Sequence, residues 1–404
     1  MTAPALHLAD VISRFGPAFL ASHAPSLLPN QNVVLRAIER CRTPAAGLHV
    51  EACDECGHTR LIPNSCRNRH CPRCQRLNQA QWVENQLADL LDVEYFHVVF
   101  TLPDEVASIA LQNKRVVFNL LFSVASDTLR TIAADPRHLG ADIGFIGVLH
   151  TWGQTLQFHP HLHCIVPGGG LSPDRSRFVR CRRGFFLPVR VLSRLFRSRF
   201  LEALRGAFTR GELCFRGSLT ALLDPAAFDA LLASIRAKQW VVYAKRPFGG
   251  PTQVVKYLGQ YTHRIAIAES RLVSIDDTGV SFRWRDYRHE HRVRTMTLSG
   301  DEFLRRFLLH VLPRGFQRIR HVGLLSNRRR RESLALCRSL LGSPSSPLST
   351  PKPADGEPPT ASTNPSRYDL CPLCGLGRMR PLAWLPLPDP LSLSAPSPVP
   401  YDSS

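Results

Sequence analysis

Cysteine spacing governs what the N-terminal part of this chain can become. Cys53-x2-Cys56 is followed, after 14 residues, by Cys71-x2-Cys74, and a third such pair, Cys371/Cys374, stands near the C-terminus. Twelve Cys in 404 residues would produce about 0.35 such pairs by chance. Each pair offers two thiolates from one tight turn, and two turns close a tetrahedron around zinc. Cys53, Cys56, Cys71 and Cys74 are therefore expected to hold one structural zinc with no coordination position left open for chemistry. Cys41, His49, Cys66 and His70 lie in the same segment and are candidates for a second zinc or for contacts around the first. The alternative for such cysteines is a set of buried free thiols, which leaves the spacing unexplained.

Charge narrows the partner. Lys and Arg total 51 against 32 Asp and Glu, a net charge of +19, and the pI is near 10.1. That excess suits a polyanion, nucleic acid above all. It argues against a hydrolase of small molecules. Arg60, Arg67, Arg69, Arg73 and Arg76 surround the cysteines and are expected to meet phosphates. Arg328, Arg329, Arg330 and Arg331 form a basic run, preceded by Arg314, Arg318 and Arg320. No uninterrupted apolar run approaches the roughly 18 residues of a membrane span. The first 20 residues lack the charged-then-apolar pattern of a secretory leader. A cytoplasmic location is expected.

Apolar periodicity predicts helices before residue 40 and over 78–90, then a strand from Tyr95 to Leu102. A helix is expected over 104–134, strands over 143–152 and 160–166, and helices over 188–210, 225–238 and 252–263. Ser299 to Glu302 reads as a capping box opening a further helix. The order implies an α+β fold: a zinc-ribbon-like module over 1–90, a sheet domain over 91–340, and a Pro/Ser-rich tail over 341–404 expected to be disordered. In that tail Cys371 and Cys374 read as an isolated knuckle.

Two small patterns carry candidate chemistry. His161-Leu-His163 begins a strand, where alternate side chains share a face. Two neutral imidazoles on one face can bind a divalent ion and leave positions for a phosphate oxygen. A solvated strand face is the alternative. Tyr257 and Tyr261 stand four apart in a helical pattern, so both hydroxyls can reach one point. The same stripe of Val254, Tyr257, Leu258, Tyr261 and Ile265 equally fits a packed core. Lys256, His263 and Arg264 flank the pair.

Taken together, the two cysteine pairs, the Phe100-Thr-Leu102 strand, His161-Leu-His163 and Tyr257-x3-Tyr261 resemble the two-tyrosine HUH transposases of bacterial rolling-circle insertion sequences. Cys41-Arg-Thr, Ser65 to Cys74 and Phe307 to Gly323 strengthen the resemblance, which covers roughly residues 8 to 330. It implies an HUH endonuclease domain with an antiparallel sheet. It further implies Mg²⁺ or Mn²⁺ on His161 and His163, and attack by Tyr257 or Tyr261 on single-stranded DNA at transposon ends and target to give a 5′-phosphotyrosine. Such sites usually hold a third ligand. Gln154 is favoured because an amide oxygen suits a hard ion, with His150 and His159 as competitors. Lys256, Arg264 and Arg328 to Arg331 are expected on the DNA backbone, where the protein would associate with the nucleoid. The rival readings are a plasmid relaxase or replication initiator with the same chemistry, and a zinc-ribbon DNA-binding protein without catalysis.

Overall fold

In a computed structural model, the structure describes residues 5–245, 253, 259, 266–287, 289–290, 292–342 and 370–385. Tyr257, Tyr261, Lys256, His263 and Arg264 lie outside the described residues.

The centre is a five-stranded antiparallel sheet. Its strands are β3 (Tyr95–Thr101), β4 (Gly144–Trp152), β5 (Phe158–Pro167), β8 (Val242–Lys245) and β12 (Ile319–Gly323). They lie side by side in the order β12-β4-β5-β3-β8. Strand alternation gives the sheet two unlike faces. Phe96, Val98, Phe100, Leu162, Cys164 and Val166 point to one, where they are buried in the main core. Helices α5 (Lys114–Ala134), α6 (Val189–Thr209) and α7 (Pro225–Ala237) cover that face. The helix expected over 104–134 is broken at Asn113 into α4 (Asp104–Gln112) and α5. The Asn113 side chain caps the break by donating to Ile109 and Cys214 carbonyls and accepting from the Cys214 N–H at 2.7 Å. By composition α5 is long and apolar enough to cross a bilayer, yet it sits with Val117, Phe118, Leu121, Ala125 and Leu129 buried in this core.

The opposite face carries His97, His161, His163 and, farther along, Ile146 and Ile165. The apolar end of that face packs against Trp82 and Leu90, and against Leu334 and Cys337 of helix α9 (Arg330–Leu341). Trp82 belongs to helix α3 (Pro72–Ala88).

The N-terminal helices α1 (Leu8–His23) and α2 (Pro29–Arg40) do not form a core with the cysteines alone. They share one with a three-stranded sheet, β9 (Leu272–Asp276), β10 (Gly279–Asp286) and β11 (Arg292–Leu298), and with α8 (Gly300–Leu309). Val11, Phe19, Leu35, Phe282, Phe303 and Phe307 are all buried there with Cys41, Cys71 and Cys74. Ser299 caps α8 through its hydroxyl, which accepts from the Glu302 N–H at 3.2 Å, as the capping box predicts. Strands β1 (Leu48–Cys53) and β2 (Thr59–Pro63) form the cysteine hairpin. The hairpin gains a third strand from the far end of the chain, β13 (Met379–Leu385), antiparallel to β1. The remaining hairpin pairs β6 (Gly169–Leu171) with β7 (Phe178–Arg180).

Candidate metal centres and nucleic-acid interface

The cysteines assemble into two tetrads, and neither is the one the spacing suggested. Cys41, Cys66, Cys71 and Cys74 converge in one, and Cys53, Cys56, Cys371 and Cys374 in the other. The expected union of Cys53/Cys56 with Cys71/Cys74 does not occur. In the first tetrad the sulfurs of Cys41 and Cys74 are 3.5 Å apart, those of Cys66 and Cys74 3.6 Å, and those of Cys41 and Cys71 3.6 Å. Four sulfurs at about 2.3 Å from one zinc stand about 3.8 Å from each other, so this spacing fits the ion. Hydrogen bonds from Cys66 and Cys71 hold the Cys74 thiol down to about 2, while those from Cys66 and Cys74 push Cys71 up. Thiols this crowded cannot all ionise without a cation between them.

Neither candidate imidazole joins a tetrad. His70 accepts the Leu312 N–H at Nε2, 3.1 Å away, and its Nδ1 meets Asn68. Burial pushes it down to about 3. His49 lies between Asn64 and Glu51 and stacks on Trp384. His70 belongs to a second device. Arg69 donates to the Phe316 and Pro313 carbonyls, and Lys114 Nζ donates to those of Leu309 and Val311 at 2.7 and 2.8 Å. The segment leaving α8 is thereby tied to both the cysteine module and α5. Arg60 is likewise committed, to Glu51 at 2.7 Å, and Arg73 donates to the Cys41 carbonyl. These contacts tie Arg60, Arg69 and Arg73 to groups of the protein itself.

The imidazoles gather as the strand alternation requires. His161 and His163 share a face, and β4 places His150 opposite His161 in register. The nitrogen donors of His150, His161 and His163 lie within 4.8 Å of one another. His150 is 2 % exposed and His163 9 %. His161 Nδ1 donates to the His159 carbonyl at 2.6 Å, which leaves its Nε2 lone pair for a metal. A fourth ring, His97 on β3, stacks on His163 and places its Nε2 2.6 Å from His163 Nδ1. His97 shares a period-two face of the strand expected from Tyr95 to Leu102, and that alternation is the signal for it in the sequence.

Burial pushes His161 down to about 4 and His163 well below the usual imidazole value, with His150 next in effect on His163. Both are thus neutral at physiological pH, the state that ligates. Gln154 sits in the β4–β5 turn, where its amide donates to the Tyr287 hydroxyl and accepts from the Arg285 N–H. Among the described residues the imidazole that gathers with His161 and His163 is that of His150. His159 supplies a carbonyl rather than a ring.

A groove of about 490 Å³ opens at the β12 edge, lined by Arg69, Gln75, Gln317, Arg318, Arg320 and Asn327 among others, with no carboxylate among its lining residues. Of the basic run, Arg328, Arg329 and Arg331 are exposed, while Arg330 pairs with Asp89 at 3.3 Å.

Comparison with known proteins settles the family. Residues 11–102 match the family "Transposase zinc-binding domain" of the IS91 group, and residues 144–333 match the two-tyrosine family described as "Putative transposase". The chain is 56 % identical over 380 residues to "Putative transposase y4qJ" of Sinorhizobium fredii, covering 92 % of this chain and 94 % of that protein. The chain belongs to the IS91 family of transposases. It is also 28 % identical over 294 residues to the "Transposase for insertion sequence element IS801" of Pseudomonas savastanoi pv. phaseolicola, covering 71 % of this chain and 68 % of that one. No solved structure matches the chain. The resemblance to two-tyrosine HUH transposases with an N-terminal zinc-binding domain is thus borne out. DNA is the transposase's substrate, and the first tetrad lies wholly within the zinc-binding match.

Proposed function

We propose that this transposase nicks and rejoins single-stranded DNA through a 5′-phosphotyrosine, with Tyr257 or Tyr261 as nucleophile and a divalent ion on His161 and His163. The observation that carries the reading is the gathering of three imidazoles on one sheet face, His150 and His163 buried and His161 half-buried, with His150 as the third. Gly259, between the two tyrosines in sequence, supports it. A Cβ there would meet a Val83 methyl at 2.0 Å, so Gly259 packs against α3, the helix whose Trp82 covers the apolar end of the imidazole face.

Bound Mn²⁺ or Mg²⁺ would withdraw charge from the scissile phosphate; an imidazole-only donor set suits Mn²⁺ better. The chain's own part is placement. His159 and His97 fix the rings that face the phosphate. The phenol forms a new P–O bond as the P–O3′ bond breaks. The 3′ oxygen leaves as a hydroxyl, taking up a proton in place of the one the phenol gives up. One phosphodiester replaces another, so the step runs backward as readily as forward, and the second tyrosine permits a second strand to be held. Exposed Arg328, Arg329 and Arg331, with Lys256 and Arg264 beside the tyrosines, would contact the DNA backbone. The arginine-lined groove at β12 offers the path.

Incubating the full-length protein with Mn²⁺ and a labelled single-stranded oligonucleotide bearing transposon-end sequence tests this. A denaturation-resistant protein–DNA adduct is expected, lost in the Tyr257→Phe, Tyr261→Phe double variant and retained by at least one single variant. An adduct formed by the double variant overturns the nucleophile assignment.

A further inference from the structure

We propose that Cys53, Cys56, Cys371 and Cys374 form a second tetrathiolate zinc site that clasps residues 370–385 onto the cysteine hairpin. Both family matches stop short of Cys371, at residues 102 and 333.

The two halves of the site are copies of one local structure. Cys53-Asp-Glu-Cys56-Gly57 and Cys371-Pro-Leu-Cys374-Gly375 each turn through a left-handed glycine, at φ 70° and 68°. The Gly57 N–H donates to the Cys53 carbonyl at 3.2 Å, and the Gly375 N–H to that of Cys371 at 3.0 Å. Across the pair, the Cys53 and Cys374 sulfurs are 3.7 Å apart, as are those of Cys56 and Cys371. That is the edge of a tetrahedron about a zinc ion. Backbone N–H groups aim at the sulfurs, from Glu55 and Cys56 to Cys53 Sγ at 3.5 Å and from Gly377 to Cys374 Sγ at 3.4 Å. Four thiolates select a soft, tetrahedral ion, and zinc is the common one.

The docking needs such an ion. Pairing with β1 runs from Leu48 opposite Leu385 to Cys53 opposite Met379. Yet the only apolar side chains of the added segment that are buried are those of Cys371 and Met379, in a cluster that includes Cys53, while Leu373, Leu376, Leu382 and Trp384 stay exposed. Apolar burial that slight does not hold a strand arriving from 315 residues away in sequence. Asp54 adds polar contacts to the Arg378 N–H and the Arg380 guanidinium. The fit is also close: a Cβ on Gly377 would stand 2.4 Å from Cys53 Sγ.

Zinc counting on the full-length protein under reducing conditions tests the clasp. Two zinc ions per chain are expected in the wild type. The Cys371→Ser, Cys374→Ser variant should keep one and become sensitive to protease within 370–385, while its thermal transition persists. A second variant retains every ligand: Gly377→Val should bind the second ion at least tenfold more weakly, read by competition with a chromogenic chelator. Cys374→His should restore both the second zinc and protection. One zinc in the wild type, or two in the double serine variant, overturns the proposal. Unaltered second-ion affinity in Gly377→Val does the same for the docking geometry.

Discussion

The two tetrads each bring four cysteines together, to opposite ends. One is drawn from residues 41 to 74, with three of its four cysteines buried in the core that α1, α2 and α8 share. The other joins residues more than 300 positions apart, at a hairpin tip where Cys56 is exposed. The difference lies in how the chain continues past each pair. Gly57 and Gly375 turn the chain back into a knuckle, whereas Cys71 is the N-cap of α3 and Cys74 lies in its first turn. A pair that opens a helix points its sulfurs into the helix-packing core. A pair that closes a knuckle presents them at a hairpin tip.

The largest effect should therefore separate the tetrads. Cys71→Ser leaves three thiols crowded in the core without a complete site, and structural zinc contributes roughly 10 kcal/mol in small domains, comparable to a whole protein's stability. Loss of the cooperative thermal transition is expected for Cys71→Ser. In Cys374→Ser the transition should survive. Equal damage from the two substitutions, seen by calorimetry, would break the contrast.

A second comparison sets the imidazole group against Gln154. His150→Ala should cut nicking by about 10- to 100-fold, the usual cost of disturbing a metal's immediate surroundings. Gln154→Ala removes only contacts to Tyr287 and Arg285 and should leave nicking within about twofold, since no metal-facing group changes. The reverse order, measured by adduct yield at fixed Mn²⁺, would favour Gln154 over His150 as third ligand.

Much of this was legible beforehand, and the gaps have physical causes. Strand alternation placed His161 and His163 on one face, and the capping box at Ser299 marked the start of α8. Spacing constrains a turn and not what the turn meets, so it does not choose partners among cysteine pairs. The glycine after Cys56 and again after Cys374, absent after Cys74, was the available signal. His150 and His97 join the cluster through strand register, which depends on pairings remote in sequence. Arginines around the cysteines resembled a phosphate surface, but Arg69 and Arg60 serve carbonyls and a carboxylate, a distinction composition does not encode.

Buried histidines outside the imidazole group give a smaller, graded effect. Burial holds His310 and His70 each down to about 3. Unfolded, both titrate near 6.5, so below that pH the unfolded chain binds more protons than the folded one. Stability should be flat above about pH 7 and fall as pH drops from about 6.5 toward 3. His310, held between Thr151 and the Leu156 carbonyl, contributes one of those protons. In His310→Gln the slope of unfolding free energy against pH across that window should lessen by one proton's worth, even though the variant is less stable overall.

The smallest effects belong to the basic run, and they divide its members. Arg329 is exposed at the N-cap of α9, so Arg329→Ala should lower the slope of log affinity against log salt by about one, with little change in stability. Arg330 is partly buried and spends its charge on Asp89 of the segment after α3. Arg330→Ala should move the salt slope by less than Arg329→Ala does, because an arginine already neutralised by a carboxylate releases fewer counterions from DNA. Binding titrations at several salt concentrations distinguish the two. Equal slopes would mean that DNA displaces Asp89 from Arg330, bringing the start of α9 and the end of α3 into the same interface.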